Sequence, residues 1–170
     1  RNIHKNFEFT LNLMNSPEIR NTSIHLKVIG GGTFNSKEKE FIKLNNLSDR
    51  IFNYQNVSDK VLNDFYNGAL ALIYPSFYEG FGIPPLEALS AGCPVISSKS
   101  SSLPEVLGDC GLYVDANDYN SAIKYIDKLI NIDYRNKLIE MGLKQASNFS
   151  WQKTGKQTLK LYYKLINEKW

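Results

Sequence analysis

Short apolar runs alternate with longer segments whose apolar residues recur at helical spacing, and this alternation constrains the fold more than any other feature of the chain. Ile24-His25-Leu26-Lys27-Val28-Ile29 alternates and stops at Gly30-Gly31-Gly32, a strand running into a tight turn. Arg50 to Tyr54 reads as a second short strand. Ala69-Leu70-Ala71-Leu72-Ile73-Tyr74 is a continuous apolar run, as expected for a strand buried on both faces. Pro94-Val95-Ile96-Ser97 and Gly111-Leu112-Tyr113-Val114 complete the set. Between them, Phe7, Leu11 and Met14 predict a helix ending near Pro17, and Ser36 is expected to cap another through about Leu44. Ser58-Asp59 precedes a helical pattern with Leu62, Phe65 and Tyr66; Pro84 to Ala91 and the turn at Ser102-Leu103-Pro104-Glu105 read as two more. Beyond Asn117 the chain reads helical, with breaks near Asp133 and Ser150. Strands alternating with helices imply parallel pairing and right-handed crossovers, hence an α/β protein with an open, doubly wound sheet and helices on both faces. Ligands of such sheets bind beyond the carboxyl ends of the strands.

Bulk properties set outer limits. The 170 residues fit one domain, or one lobe of a larger enzyme. The net charge of +3 is small, and no dense run of Lys or Arg marks a nucleic-acid surface, so no nucleic-acid partner is expected. Cys93 and Cys110 form no disulfide framework and have no Cys or His at metal-ligand spacing. Both read as reduced and buried, which suits a cytosolic compartment. No apolar run reaches membrane-spanning length, and no signal peptide is visible. Arg1 to Asn6 reads as a polar loop that runs straight into a helix, and more chain is expected upstream.

The segment with chemistry in it is Pro75-Ser76-Phe77-Tyr78-Glu79-Gly80-Phe81-Gly82-Ile83-Pro84-Pro85-Leu86-Glu87-Ala88-Leu89. Gly80 and Gly82 permit backbone conformations closed to other residues and clear side chains from a close approach. A helix then begins around Ile83, where unpaired amides and the helix dipole favour a phosphate. Pro84 and Pro85 fit its first turn. Glu87 lies one turn in, on the face of Ile83, and can accept hydrogen bonds from a vicinal diol such as a ribose. Glu79 precedes the turn and can reach the group beyond the phosphates. A carboxylate beside a phosphate calls for nearby cations, and Arg1 and Lys5 are the candidates. Taken singly, either Glu is equally a surface residue compensating a helix dipole; the combination is the specific signal.

Pro75 through Ile96, with Glu79 and Glu87 seven residues apart, resembles the signature of family 4 retaining glycosyltransferases. Ser101 to Val106 and Gly111 to Asp115 are similar to that family's next two blocks, Asn56-Val57-Ser58-Asp59 with Leu62 and Tyr66 to its base-side loop, and Phe149-Ser150-Trp151 to a late element. The resemblance covers nearly the whole chain. It implies that residues 1–170 are a single nucleotide-sugar-binding lobe, the Rossmann-like C-terminal half of a GT-B enzyme, without the N-terminal acceptor lobe or the strand that should precede Arg1. Arg1 and Lys5 would neutralise the donor diphosphate, and Glu79 would contact the donor sugar at the reacting centre. Val57 would meet the base, the amides of Gly80, Phe81, Gly82 and Ile83 would hold sugar or phosphates alongside Leu86, and Glu87 would bind the ribose. The implied reaction moves a sugar from a nucleotide diphosphate to a glycan or glycolipid hydroxyl with retention. It is expected in the cytoplasm or at the inner face of the cytoplasmic membrane, with peripheral membrane association of the full enzyme. The resemblance of the Arg1 to Phe7 loop and of the Ser101 to Val106 block to the family implies a mannosyl donor. No cofactor and no metal are expected: no Asp-X-Asp motif is present, and Asp109, Asp115 and Asp118 are not so arranged.

Two alternatives stand beside this reading. A nicotinamide-dependent dehydrogenase domain would use Gly30-Gly31-Gly32, but the third glycine of its fingerprint falls at Asn35. A sugar-nucleotide-binding module without catalysis would carry the same lobe. His25, within a strand pattern, reads as structural, and His4 as a solvated loop residue. Trp151, Trp170, Tyr162 and Tyr163 suggest helix packing, with an apolar face on the last helix available to the missing lobe.

Overall fold

The computed structural model describes residues 3–167. A 3-10 turn, Ile3–Lys5, leads into helices α1 (Phe7–Asn15) and α2 (Pro17–Arg20). Strand β1 (Leu26–Ile29) stops at Gly30, Gly31 and Gly32, whose φ angles of 69°, 72° and 77° are the left-handed values that glycine tolerates. Next come α3 (Ser36–Leu44), β2 (Ile51–Tyr54), α4 (Asp59–Gly68), β3 (Leu72–Tyr74), α5 (Ile83–Ser90), β4 (Val95–Ser98), α6 (Leu103–Leu107) and β5 (Gly111–Val114). Helices α7 (Asn120–Ile130), α8 (Ile132–Ala146) and α9 (Trp151–Asn167) close the described chain.

The strands are parallel. β1 pairs with β2 from Leu26↔Ile51 to Ile29↔Tyr54, while β4 pairs with β3 on one side (Ile73↔Ile96) and β5 on the other (Ile96↔Leu112). Successive residues of a strand face opposite sides, and β4 uses both for burial. Ile96 joins the core built with Leu11 and Leu13 of α1 and Ile126 of α7, whereas Val95 joins Leu89 of α5, Leu107 of α6 and Ala146 of α8. Helices therefore cover both faces, as the alternation of elements predicts. Cys93 and Cys110 are free and buried in the second of these cores, where burial pushes the Cys93 thiol up to about 11.

Several boundaries differ from the sequence reading. Asn35, not Ser36, caps α3: its side chain accepts from the Glu38 amide at 2.9 Å, and Glu38 accepts from the Asn35 amide at 2.8 Å. This capping box satisfies both ends of the helix entry, and Ser36 becomes the first helical residue. The break expected near Asp133 falls at Asn131, whose side chain caps α8. The run Ala69–Tyr74 yields only a three-residue strand, and that strand is half-buried. The reason is its position. β3 does not pair with β1, so the sheet is divided in two, and an apolar cleft of about 370 Å³ lined by Leu26, Leu70, Leu72 and Ile73 lies between. No described residue of α9 is buried, and Trp151, Tyr162 and Tyr163 are exposed rather than packed. Trp170 lies outside the described residues.

Candidate functional site

The loop from β3 to α5 leaves the carboxyl end of β3, the edge strand of its three-stranded sheet. Gly82 begins α5 with φ +102°, and a Cβ there would sit 2.9 Å from Leu103 Cδ2. Only glycine combines that backbone with that packing. Pro84 and Pro85 have no N–H, and the Leu86 amide already donates to Gly82 O at 3.2 Å. The donors left for a ligand are therefore the amides of Gly80, Phe81, Gly82 and Ile83, none of which donates to backbone of another described residue. Gly80 faces open space, with nothing within 4 Å of where a Cβ would stand.

Glu79 is pinned at backbone and side chain. Its amide donates to Ser101 Oγ at 2.9 Å, and its carbonyl lies 2.9 Å from the same hydroxyl. Ser101 holds φ 46° to do this, and Ser102 Oγ donates to Phe81 O at 2.8 Å. The Glu79 carboxylate accepts from Lys5 Nζ at 2.7 Å, and Lys5 also donates to Tyr74 Oη at 2.8 Å. The Glu79 side chain is only 11% exposed, the Lys5 side chain 39%. Burial disfavours the charged form of Glu79, but its hydrogen bonds, that of Lys5 foremost, outweigh this and hold the carboxyl below the usual range. Burial likewise works against the Lys5 ammonium, and the bonds to Glu79 and Tyr74 prevail, raising it. The turn bearing Lys5 is tied down in turn. Phe77 N donates to His4 O at 2.8 Å, and Asn6 Nδ2 donates to Pro75 O and Ala116 O at 3.2 and 2.7 Å.

Glu87 has a different setting. It is exposed on the first turns of α5 and accepts a long 3.5 Å hydrogen bond from Tyr66 Oη. Burial and the facing Glu87 push the Tyr66 hydroxyl well above its ordinary value, so it remains a donor. A hollow of about 510 Å³ opens here, lined by Asp59, Leu62, Phe81, Ile83, Leu86 and Glu87 among others. Glu79 is not among its lining residues. Val57 is half-buried in the loop before α4, next to Asn56 in a left-handed conformation. Phe149 meets the Phe81 ring edge-on at 5.9 Å, which brings the late Phe-Ser-Trp element to the glycine turn. The structure thus brings Lys5, Glu79 and the glycine turn together, and Leu86, Glu87 and Ile83 together on the next side of α5. Arg1 lies outside the described residues.

Sequence reasoning gave no role in the site to Tyr74, Asn6 or the Tyr66–Glu87 contact, and it named Ser101 and Ser102 only as the start of a family-like block, not as holders of the glycine turn. A strand-terminal Tyr just before Pro75-Ser76 is a weak signal for the first. The Ser100-Ser101-Ser102 run is one for the serines, since consecutive hydroxyls after a strand favour loop hydrogen bonds. Among the described residues no group of three or more His, Cys, Asp or Glu is placed to hold a metal ion, and no helix is long and apolar enough to cross a membrane.

Known proteins resemble this chain in sequence and fold. The family described as glycosyl transferases group 1 matches residues 2–145. O-antigen chain mannosyltransferase B of Escherichia coli is 45% identical over 107 residues, 62% of this chain and 28% of that protein. Sucrose-phosphate synthase from Thermosynechococcus elongatus superposes with a TM-score of 0.84 at 24% identity, over 99% of this chain and 44% of the synthase. A Staphylococcus aureus TarM structure solved with UDP superposes with a TM-score of 0.78 at 19% identity, over 97% of this chain and 33% of TarM. The chain spans less than half the length of each of these proteins.

Proposed function

This chain belongs to the glycosyl transferases group 1 family, and we propose that it is the donor-binding lobe of a retaining GT-B hexosyltransferase. The observation that carries the reading is the Lys5–Glu79 pair set against the amides of Gly80 to Ile83 at the end of β3. A diphosphate resting on those amides meets Lys5, with Arg1 as the second cation, and these stabilise the charge that develops as the sugar leaves. The leaving diphosphate is served by these cations rather than by a metal. Glu79 then faces the donor sugar at the reacting centre. Glu87, exposed on the hollow beside Tyr66, takes the ribose hydroxyls, with Leu86 and Ile83 on its apolar side; Val57, which does not line that hollow, is left to the base by the family resemblance alone.

The E. coli relative is named a mannosyltransferase of O-antigen chains, which supports a mannosyl donor and a glycan or glycolipid acceptor for the whole enzyme. The acceptor would be held by an N-terminal lobe, and the exposed apolar side of α9 is a surface for that lobe to cover. Work on such an acceptor belongs in the cytoplasm, with peripheral association at the inner face of the cytoplasmic membrane. Calorimetry with a panel of nucleoside diphosphate sugars tests the reading. Saturable binding of one donor, stronger than that of its free sugar phosphate, is the expected result. Failure of every donor to bind contradicts it.

A further inference from the structure

The Lys5 ammonium is held by two groups, and only one of them is charged. Glu79 Oε1 accepts from it at 2.7 Å and Tyr74 Oη at 2.8 Å, while the ammonium stands 5.1 Å from the centre of the Tyr74 ring. Tyr74 and the residue it holds differ in how they are anchored. Tyr74 is the last residue of β3, its register fixed opposite Ser97 and its carbonyl accepting from Ser97 Oγ at 3.2 Å. Lys5 comes from a short 3-10 turn with no buried residue. A long cationic side chain on such a turn keeps its rotamer freedom unless a rigid element restrains it. Glu79 cannot do this alone, because a bound anion competes with it for the same ammonium.

We propose that Tyr74 is a positioning residue for donor binding: its hydroxyl, carried on the rigid end of β3, keeps the Lys5 ammonium beside Glu79 and the glycine turn, so that the cation stays aimed when a diphosphate arrives. The inference rests on the functional reading above for what Lys5 meets, but not for what Tyr74 does to Lys5. As a neutral acceptor, the Tyr74 hydroxyl can hold one ammonium hydrogen while the others turn from Glu79 to a phosphate oxygen. The titratable groups set against Lys5 are Glu79 from the loop after β3 and Tyr74 itself; His4 precedes it on its own turn.

Tyr74→Phe in the full-length protein removes the hydroxyl and keeps the ring, hence also the ring's contact with the ammonium. Two readouts follow. Competitive acylation of Lys5 across alkaline pH, read by mass spectrometry, needs no ligand. Lys5 is expected to become reactive at lower pH in Tyr74→Phe, and Tyr74→Gln, which keeps an acceptor, is expected to restore part of the delay. The second readout is calorimetric affinity for UDP and GDP in Tyr74→Phe, Lys5→Met and the double variant. Tyr74→Phe alone is expected to weaken binding about fivefold, a modest value for a hydrogen bond to a partly exposed charge. On the Lys5→Met background it should change binding by less than about twofold, since it acts through Lys5. An unchanged Lys5 acylation profile overturns the inference, and so does an equal loss of affinity on both backgrounds. If the wild-type protein binds neither UDP nor GDP, the functional reading suffers, and the acylation profile alone decides the role of Tyr74.

Discussion

Glu79 and Glu87 lie seven residues apart in one motif, yet they occupy opposite kinds of site. Glu79 is 11% exposed, its backbone held by Ser101 and its carboxylate closed on Lys5. Glu87 is exposed beside an open hollow, its carboxylate accepting one long hydrogen bond, from Tyr66, among the described residues. One carboxylate is built into the fold and arrives already oriented; the other waits for a partner. Preorganisation of this kind matters where charge changes during a reaction, because a fixed group costs no reorganisation at the critical moment. A free carboxylate suits recognition, where a ligand diol replaces water. On the proposed function, the difference matches chemistry to the pinned residue and binding to the free one.

Substitutions can break this contrast. Glu79→Gln keeps shape and removes charge, and the expected loss in turnover of the full-length enzyme is about 10²–10³-fold, with donor affinity changed far less; steady-state kinetics beside calorimetry separate the two. Gly82→Ala should destabilise the lobe by about 2–3 kcal/mol, since the new methyl meets Leu103 in a backbone conformation that L residues avoid, and thermal unfolding measures this. Gly80→Ala sharpens the point. The site is open, so stability should hold, and any fall in donor affinity reports a ligand occupying that space. Glu87→Ala is expected to weaken binding of the nucleotide portion by about 1–3 kcal/mol with unchanged unfolding temperature, the reverse of the Glu79 pattern.

Smaller effects probe the pinning itself. Ser101→Ala removes the hydroxyl that meets both the Glu79 amide and carbonyl, for an expected loss of about 1 kcal/mol in chemical denaturation. The mildest effect is in pH. The native pKa of Glu79 is depressed, so its contribution to stability is present above the unfolded value and is lost as pH falls through the native one. Unfolding curves in acid should show this limb in the wild type and lack it in Glu79→Gln.

What could be read from the sequence divides along the same line. The apolar runs placed β4 and β5 within a residue or two, and the glycine turn followed by Pro84-Pro85 placed the start of α5 at Ile83. These are local patterns, and local physics writes them. The motif also named both carboxylates. Their settings were not readable, because each depends on residues far along the chain. Lys5 and Glu79 are 74 residues apart, Tyr66 and Glu87 are 21, and Ser101 reaches back 22 to Glu79. No spacing rule encodes such contacts; Ser101 meets Glu79 because β3 and β4 lie parallel in register and both residues follow those strands, while Lys5 and Tyr66 arrive from the first turn and from α4. The division of the sheet between β1 and β3 was likewise invisible, since an apolar run does not reveal which of its edges will pair. The exposure of α9 has the same origin: its pattern specifies an apolar face but not what lies against it.

A crystal structure with a bound nucleoside diphosphate tests the division of labour most directly. Phosphate oxygens should lie within hydrogen-bonding distance of Lys5 Nζ and of the amides between Gly80 and Ile83, with the ribose hydroxyls on Glu87. A nucleotide seated elsewhere, with Lys5 still closed on Glu79 and the glycine turn empty, would contradict it.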